Sequence, residues 1–280
     1  LSIYDKYLDE LDFVAFDLET TGLFAVSSKI IEVGATKFDI LGNVKEKFSF
    51  LVDPETTIPV ETIRIHNITD EMVRGELPIE LVLPEFIDFI GDSILLAHHA
   101  SFEVNFISYN IGLLGLDYPE NPVLDTIMLA KKAFPEAPNY RLHTLASFLN
   151  IPNSTFHRAL FDSEYCMSLF VKCVEKLMEE RGTLRELSSY VKPLNFHNLT
   201  KNIREIDIPE AYEPIRDAIE KQSKVHISYK GFNGEISNRD ITPINFIKLK
   251  NRVYLEAYCH LRNEKRNFKL KKILTVSKSA

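Results

Sequence analysis

The 280-residue chain has no tryptophan and only three cysteines, Cys166, Cys173 and Cys259, none of them in a Cys-x-x-Cys pair. A disulfide framework is excluded, and a cysteine-based zinc site has no ligand spacing to build on. A reducing cytoplasm is the expected location. No apolar run reaches the roughly 18 residues that a membrane span requires, so no membrane partner is expected. The opening residues, Leu1 to Lys6, lack the basic end and apolar stretch of a signal peptide. They also lack Met, from which a native start further upstream is expected. No GxxxxGK[ST] occurs, so nucleotide-driven motor chemistry finds no support. What is present is an ordinary globular composition, 45% hydrophobic and 26% charged, with 19 Phe and 11 Tyr to build a core. The length is comfortable for two domains.

Charge is unevenly spread. From Lys224 onward there are 13 Lys+Arg against 4 Asp+Glu, a net of +9, and the remainder carries 20 against 36. This predicts an acidic domain followed by a basic one. In the first part, strands are expected at 13–19, 30–38, 46–52, 94–97 and 123–126. Helices are expected at 84–90, from a Ser101 cap onward, at 142–149 and at 162–178. That mixture points to an α/β sheet. After Arg181-Gly182 comes a connector, then a short helix at 213–222. Short strands are expected at 225–229, 238–242, 245–249, 253–258 and 267–270, with a Gly231–Gly234 turn between the first two. The domains expected are 1–182, a connector 183–208, and a β-rich unit 209–280.

The strongest chemical signal is Asp17-Leu18-Glu19-Thr20-Thr21-Gly22. Residues two apart on a strand point to the same side, so Asp17 and Glu19 project together behind the apolar run 13–16. Two adjacent carboxylates repel unless a cation or proton intervenes, and hard divalent cations would hold them. Two further segments join this one. Leu95–Glu103 sets a carboxylate in the first turn of a helix just after a strand. His157-Arg158-Ala159-Leu160-Phe161-Asp162 sets a histidine five residues before an acid that opens a long apolar helix. A loop histidine beside a helix-borne carboxylate suits a general base next to a metal ligand.

In this order and at these separations the three segments resemble the motifs of the DEDDh 3′–5′ exonucleases, the DnaQ-like family of the proofreading epsilon subunit of bacterial DNA polymerase III. Asp17-x-Glu19-Thr20-Thr21-Gly22 resembles the first motif, Ala97-His98-x-Ala100-x-Phe102-Glu103 the second, and His157-Arg158-Ala159-Leu160-x-Asp162 the third. Leu124-Asp125-Thr126 resembles an accessory Asp-Thr pair. The resemblance covers roughly 10–178. The second motif departs from the family, with Glu103 for the usual Asp and His99 for the usual Asn.

The resemblance implies an RNase H-like mixed sheet flanked by helices, and two divalent cations, Mg²⁺ or Mn²⁺, held by Asp17, Glu19, Glu103 and Asp162. It implies Asp17 between both cations, Glu19 and Asp162 on one, Glu103 nearer the other, and His157 as the base that takes a proton from the attacking water. It further implies that the amides of Thr20, Thr21 and Gly22 hold the terminal 3′-hydroxyl, and that Leu23 and Phe102 stack on the last bases.

The C-terminal part, on Asn238–Pro243, Val253-Tyr254-Leu255 and Arg266–Ile273, resembles a WYL domain with Val253 in place of the name-giving Trp. This implies a small SH3/Sm-like β-barrel that binds nucleic acid or a nucleotide-like ligand, with Arg239, Tyr254 and Arg266 as candidates for an anion pocket. The resulting expectation is a metal-dependent 3′–5′ exonuclease acting on single-stranded DNA or RNA 3′ ends, DNA ahead of RNA, with a polymerase or another replication or repair protein as partner. The alternatives are a catalytically weakened protein that binds nucleic-acid ends, and a WYL-type ligand-sensing regulator.

Overall fold

The computed structural model describes residues 2–152, 157–178, 182–197, 208–231, 234–249 and 252–278. The chain divides into two units, Leu1–Leu199 and Thr200–Ala280.

In the first unit, strand β1 (Phe13–Thr20) is buried along almost its whole length because it is central. It pairs antiparallel with β2 (Ile30–Phe38), which pairs antiparallel with β3 (Val44–Leu51). Helices α1 (Val60–His66), α2 (Asp70–Val73) and α3 (Ile79–Ile90) follow. Next come β4 (Ile94–Ala97), α4 (Ala100–Leu114), β5 (Val123–Asp125), α5 (Thr126–Ala133), α6 (Leu142–Phe148), α7 (Ala159–Leu177) and α8 (Leu184–Tyr190). Strand β4 lies parallel to β1 on its other side, and β5 parallel to β4, giving the order β3-β2-β1-β4-β5.

The alternation of β1 divides the core into two layers. Phe13 and Ala15 pack with Cys166, Leu169, Phe170 and Cys173 of α7. Val14, Phe16 and Leu18 pack on the opposite face with Phe86 of α3 and Val104, Phe106 and Ile107 of α4. Ring pairs tie each layer, Phe13 to Phe170 at 5.1 Å and Phe16 to Phe86 at 5.5 Å. Asp17 and Glu19 continue the α7 face just where β1 ends.

Three helix starts differ from the sequence expectation. Helix α3 begins at Ile79, and Pro84 lies inside it, its missing N–H outweighed by burial of Val82, Leu83 and Phe86. Helix α4 begins at Ala100 after His99, whose left-handed backbone (φ 80°, ψ 47°) makes the strand-to-helix turn, so Ser101 is not the cap. Helix α7 begins three residues before Asp162, because the Ala159 N–H finds an acceptor on β2 rather than in its own segment. Within the stretch expected as a connector, Thr183 and Glu186 form a reciprocal capping box for α8. Leu184 and Leu187 of α8 join the core beside α7. Part of the expected connector, 198–207, lies outside the described residues.

The second unit holds α9 (Glu213–Glu220) and five strands: β6 (Val225–Lys230), β7 (Ile236–Leu249), β8 (Arg252–Cys259), β9 (Glu264–Lys269) and β10 (Ile273–Lys278). They form one antiparallel sheet in the order β10-β6-β7-β8-β9. Two expected strands are one, because β7 runs through Pro243 on a bulge that lets Ile244 go unpaired. Strand β10 completes the sheet beyond the expected elements. Phe232 and Asn233 of the expected turn lie outside the described residues. Ile215 and Ala218 of α9 cover Ile227, Ile241, Leu255, Ala257 and Phe268. Among the described residues no helix is long and apolar enough to cross a membrane.

Candidate active site

In an open α/β sheet, ligands bind at the carboxyl ends of parallel strands. Here β1 and β4 end side by side and deliver the chain to the carboxylates and to α4. Asp17 and Glu19 come from β1, Glu103 from the first turn of α4, and Asp162 from the first turn of α7. Glu103 and Asp162 are 3% and 8% exposed, which is costly for acids unless something neutralises them.

Asp17 is pushed well above the usual carboxylate range by burial and then by the charges of Glu103, Asp162 and Glu19. Glu103 is pushed up by burial and by Glu19, against the Leu18 N–H that its carboxylate accepts. Glu19 is raised to about 8, by burial first and then by Asp162 and Glu32. Asp162 is raised to about 6, by burial, with the His157 N–H pulling the other way. Among the described residues none of the four forms an ion pair.

Two oxygens identify what this donor set fits. Glu103 Oε2 and Asp162 Oδ1 are buried with no hydrogen-bond partner, an arrangement that native proteins rarely leave without an ion or water. The donors are carboxylate oxygens, the chemistry that hard divalent cations select. Glu19, His157 and Asp162 each offer an atom within 4.8 Å of the others'. The residues present therefore fit a divalent cation.

His157 is held by its backbone. Its φ is 62°, a conformation that L-residues adopt at a cost, and its N–H donates to Asp162 Oδ2 at 3.0 Å. Its side chain is exposed, at the rim of a 610 Å³ cleft that Asp162 also lines. The neighbouring Arg158 anchors the turn. Its Nε and Nη2 reach Glu32 Oε1 at 3.0 and 2.8 Å, and the Ala159 N–H donates to Glu32 Oε2 at 3.0 Å.

Glu32 is 1% exposed and sits opposite Glu19 in the β1–β2 register. Beside it Gly34 permits contact, since a β-carbon there would lie 2.1 Å from the Leu160 nitrogen. Thr36 and Ser163 complete the seam through their hydroxyls at 2.8 Å. Sequence reasoning did not single out Glu32. Its signal was a lone acid in the apolar run Ile30–Ala35. Nor did it single out His66, buried at the end of α1, whose Nδ1 accepts the Ile68 N–H and whose Nε2 is buried without a partner.

The remaining candidates fall as follows. Thr20 ends β1 and its hydroxyl donates to the Gly22 carbonyl at 2.7 Å. The Thr21 amide is already committed to the Lys29 carbonyl. At Gly22 a β-carbon would meet Ser28 Oγ at 2.7 Å. Leu23 is 72% exposed. Phe102 is half-buried between His99 and Phe106. His98 is neutral and structural. Burial lowers it to about 4, and its ring joins Thr126 Oγ1 at 2.9 Å to the Tyr140 carbonyl at 3.0 Å.

In the second unit, Arg239 lies over Tyr229 and Phe268 at 5.9 and 5.8 Å and donates from Nε to Ser237. The register puts Arg239 and Arg266 on one face of the sheet, Arg266 paired with Glu264. Tyr254 is on the other face, so the three do not form one pocket.

Residues 14–170 match the sequence profile of a family described as Exonuclease, of RNase T type, and 210–277 match the WYL domain. The chain is 36% identical over 220 residues to a DNA polymerase III PolC-type of Halalkalibacterium halodurans, covering 78% of this chain and 15% of that protein. It is 40% identical over 172 residues to the PolC-type enzyme of Listeria monocytogenes, covering 61% and 12%. The chain thus spans about a seventh of these relatives. Among solved structures it resembles the zinc-bound form of E. coli exonuclease I with single-stranded DNA, at a TM-score of 0.56 and 18% identity, over 88% of this chain and 54% of that one.

Proposed function

We propose, from the premise that the chain belongs to the RNase T-type exonuclease family and carries a WYL domain, that it is a divalent-cation-dependent 3′–5′ exonuclease of single-stranded ends. The hydrolysis of nucleic-acid phosphodiesters belongs to the family; direction of substrate entry, metal and residue roles are our reading. The observation that carries it is the pair of buried, unpartnered oxygens on Glu103 and Asp162 within a set of four unpaired carboxylates. Asp17 would contact two cations, Mg²⁺ or Mn²⁺, with Glu19 and Asp162 on one and Glu103 on the other. Bound there, they supply Lewis-acid polarisation of the scissile phosphate and stabilise the departing 3′-oxygen.

This chain's own residues do the rest. His157 takes a proton from the attacking water as its oxygen bonds to phosphorus, and the bond to the 3′-oxygen of the preceding nucleotide breaks. A nucleoside 5′-monophosphate and a shortened strand leave. The Asp162–His157 backbone bond holds the base at the site while the ring stays free to turn. Gly22 and Thr20 would border the terminal 3′-hydroxyl, and exposed Leu23 with half-buried Phe102 offer apolar surface to the last bases. Glu103 in place of the usual Asp is consistent with an active site, because its carboxylate accepts the Leu18 N–H and still has an unpartnered oxygen.

The PolC-type relatives support DNA ahead of RNA and a replication or repair polymerase as partner. In the second unit the contact of Tyr229 with Phe268 at 5.1 Å, and the Lys269 N–H to the Tyr229 hydroxyl at 3.4 Å, support an SH3-like curl of the sheet. Arg239 and Arg266 are its anion-facing candidates, with Tyr254 acting on the other face.

The test is digestion of end-labelled single-stranded DNA and RNA with EDTA, Mg²⁺ or Mn²⁺. Cleavage from the 3′ end with metal and its loss in Asp17→Ala, with the fold retained, is the expected result. Turnover near wild type in Asp17→Ala would overturn the assignment.

A further inference from the structure

The four carboxylates and His157 address only the phosphate being cut. A polynucleotide brings further phosphates, and the first 199 residues are acidic, so those charges need a local answer. The cleft of 610 Å³ that opens on His157 and Asp162 is lined on one side by Arg64, from the last turn of α1, and on another by Arg141 and His143, at the start of α6. The two arginines come from segments almost 80 residues apart in sequence and converge on one cleft only through the fold.

Their lack of partners sets them apart. Arg158 is bound to Glu32, and Arg185 to Asp5 at 2.6 Å. Arg74 lies in the field of Asp53 and Glu71. Arg64 and Arg141 are exposed and, among the described residues, neither guanidinium has a carboxylate or hydrogen-bond partner. Among the described arginines of this unit, those that neither pair with an acid nor lie in the field of one are thus the two lining the cleft that holds the candidate base. An arginine fork matches phosphate oxygens two at a time, and a cationic wall in a cleft concentrates an anionic chain.

We propose that Arg64 and Arg141 form a phosphate track that grips the internucleotide phosphates on the 5′ side of the cut. This rests on the exonuclease reading. The ligand class is a single-stranded polynucleotide backbone, read by charge and not by base. The two arginines position the strand, and the metal carboxylates and His157 carry out the chemistry. The track acts on strands longer than a dinucleotide, since a dinucleotide has only the phosphate that is cut.

The experiment measures binding and cleavage by the full chain. Binding of a fluorescent single-stranded oligonucleotide is followed across salt concentrations in an Asp17→Ala background, so that substrate survives. Arg64→Ala and Arg141→Ala should each weaken binding about tenfold at low salt, the order expected of a charge-assisted phosphate contact. Each should flatten the log–log salt dependence by about 0.7, one single-strand phosphate contact. Lysine at either position should recover part of the affinity. Arg185→Ala, which removes the same charge at Asp5, should leave the slope as it was.

In the otherwise native enzyme the two variants should raise KM on oligonucleotides with little change in kcat, and the penalty should be several-fold smaller on a dinucleotide. Unchanged affinity and slope in both variants would overturn the track. So would an equal flattening in Arg185→Ala, which would reduce the effect to net charge. A chain that binds with the expected slopes but cuts nothing in any metal would overturn the exonuclease reading and leave the track standing.

Discussion

At the scale of single residues, His157 is the informative position because its two functions separate. If it is the base, His157→Ala lowers turnover by about 10²–10⁴-fold, the usual worth of a general base, while cation affinity barely moves. Isothermal titration with Mn²⁺ beside single-turnover rates checks this. A shifted titration with an intact saturated rate would make it a ligand, which its place within 4.8 Å of Glu19 and Asp162 allows. The five candidate site residues could be picked out in the sequence because each lies in a short segment whose spacing is local, and the fold gathers them at one end of the sheet. Glu32 was not. Its meaning comes from Arg158, which lies 126 residues on, and no local pattern joins an acid in an apolar strand to a basic residue in a distant turn. The left-handed backbones of His99 and His157 were equally hidden, since nothing in either residue type demands them.

At the scale of elements, the seam between β2 and the start of α7 decides whether the site exists. Short apolar runs marked β1, β2 and β4 as strands, and an apolar helix after Asp162 marked α7. The true start of α7 depends on an acceptor supplied by another strand, so its first turn was out of reach. The closeness at Gly34 gives the seam a sharp test. Gly34→Ala would put a β-carbon against the backbone of Leu160, which cannot turn aside as a side chain would. The expected cost is about 1–3 kcal/mol of stability, from overpacking. The helix end would move, carrying Asp162 and His157 with it. Activity should therefore fall further than the loss of folded protein explains, which chemical denaturation and turnover per folded molecule measure together. Activity that tracks only the folded fraction would show the seam to be structural alone.

At the scale of the whole molecule, the crowded, desolvated acids tie folding to pH. Glu19 is raised in the fold, from 4.5 to about 8, and Asp162 from 3.8 to about 6. Between those limits the unfolded chain has already released protons that the folded one keeps. Stability in metal-free buffer should therefore be fully present at the acid end of this window and fall as pH rises towards 8. Added Mg²⁺ or Mn²⁺ should reverse the trend, with the largest gain in Tm at the alkaline end. Thermal scans from pH 5 to 8, with EDTA or with metal, check the sign. A metal-free Tm that rises over this range would contradict the desolvation and mutual repulsion that raise these carboxylates. The cysteines provide a second readout of folding. Cys166 and Cys173 lie on the core-facing side of α7, and Cys259 lies in the second unit's core. Burial pushes the Cys173 thiol up to about 12 and Cys166 higher still, so neither forms the reactive thiolate while folded. Alkylation of each cysteine, resolved by peptide mass, then becomes a stopwatch for the opening of its own unit. The native chain thus already contains separate reporters for the two halves, without any label being engineered.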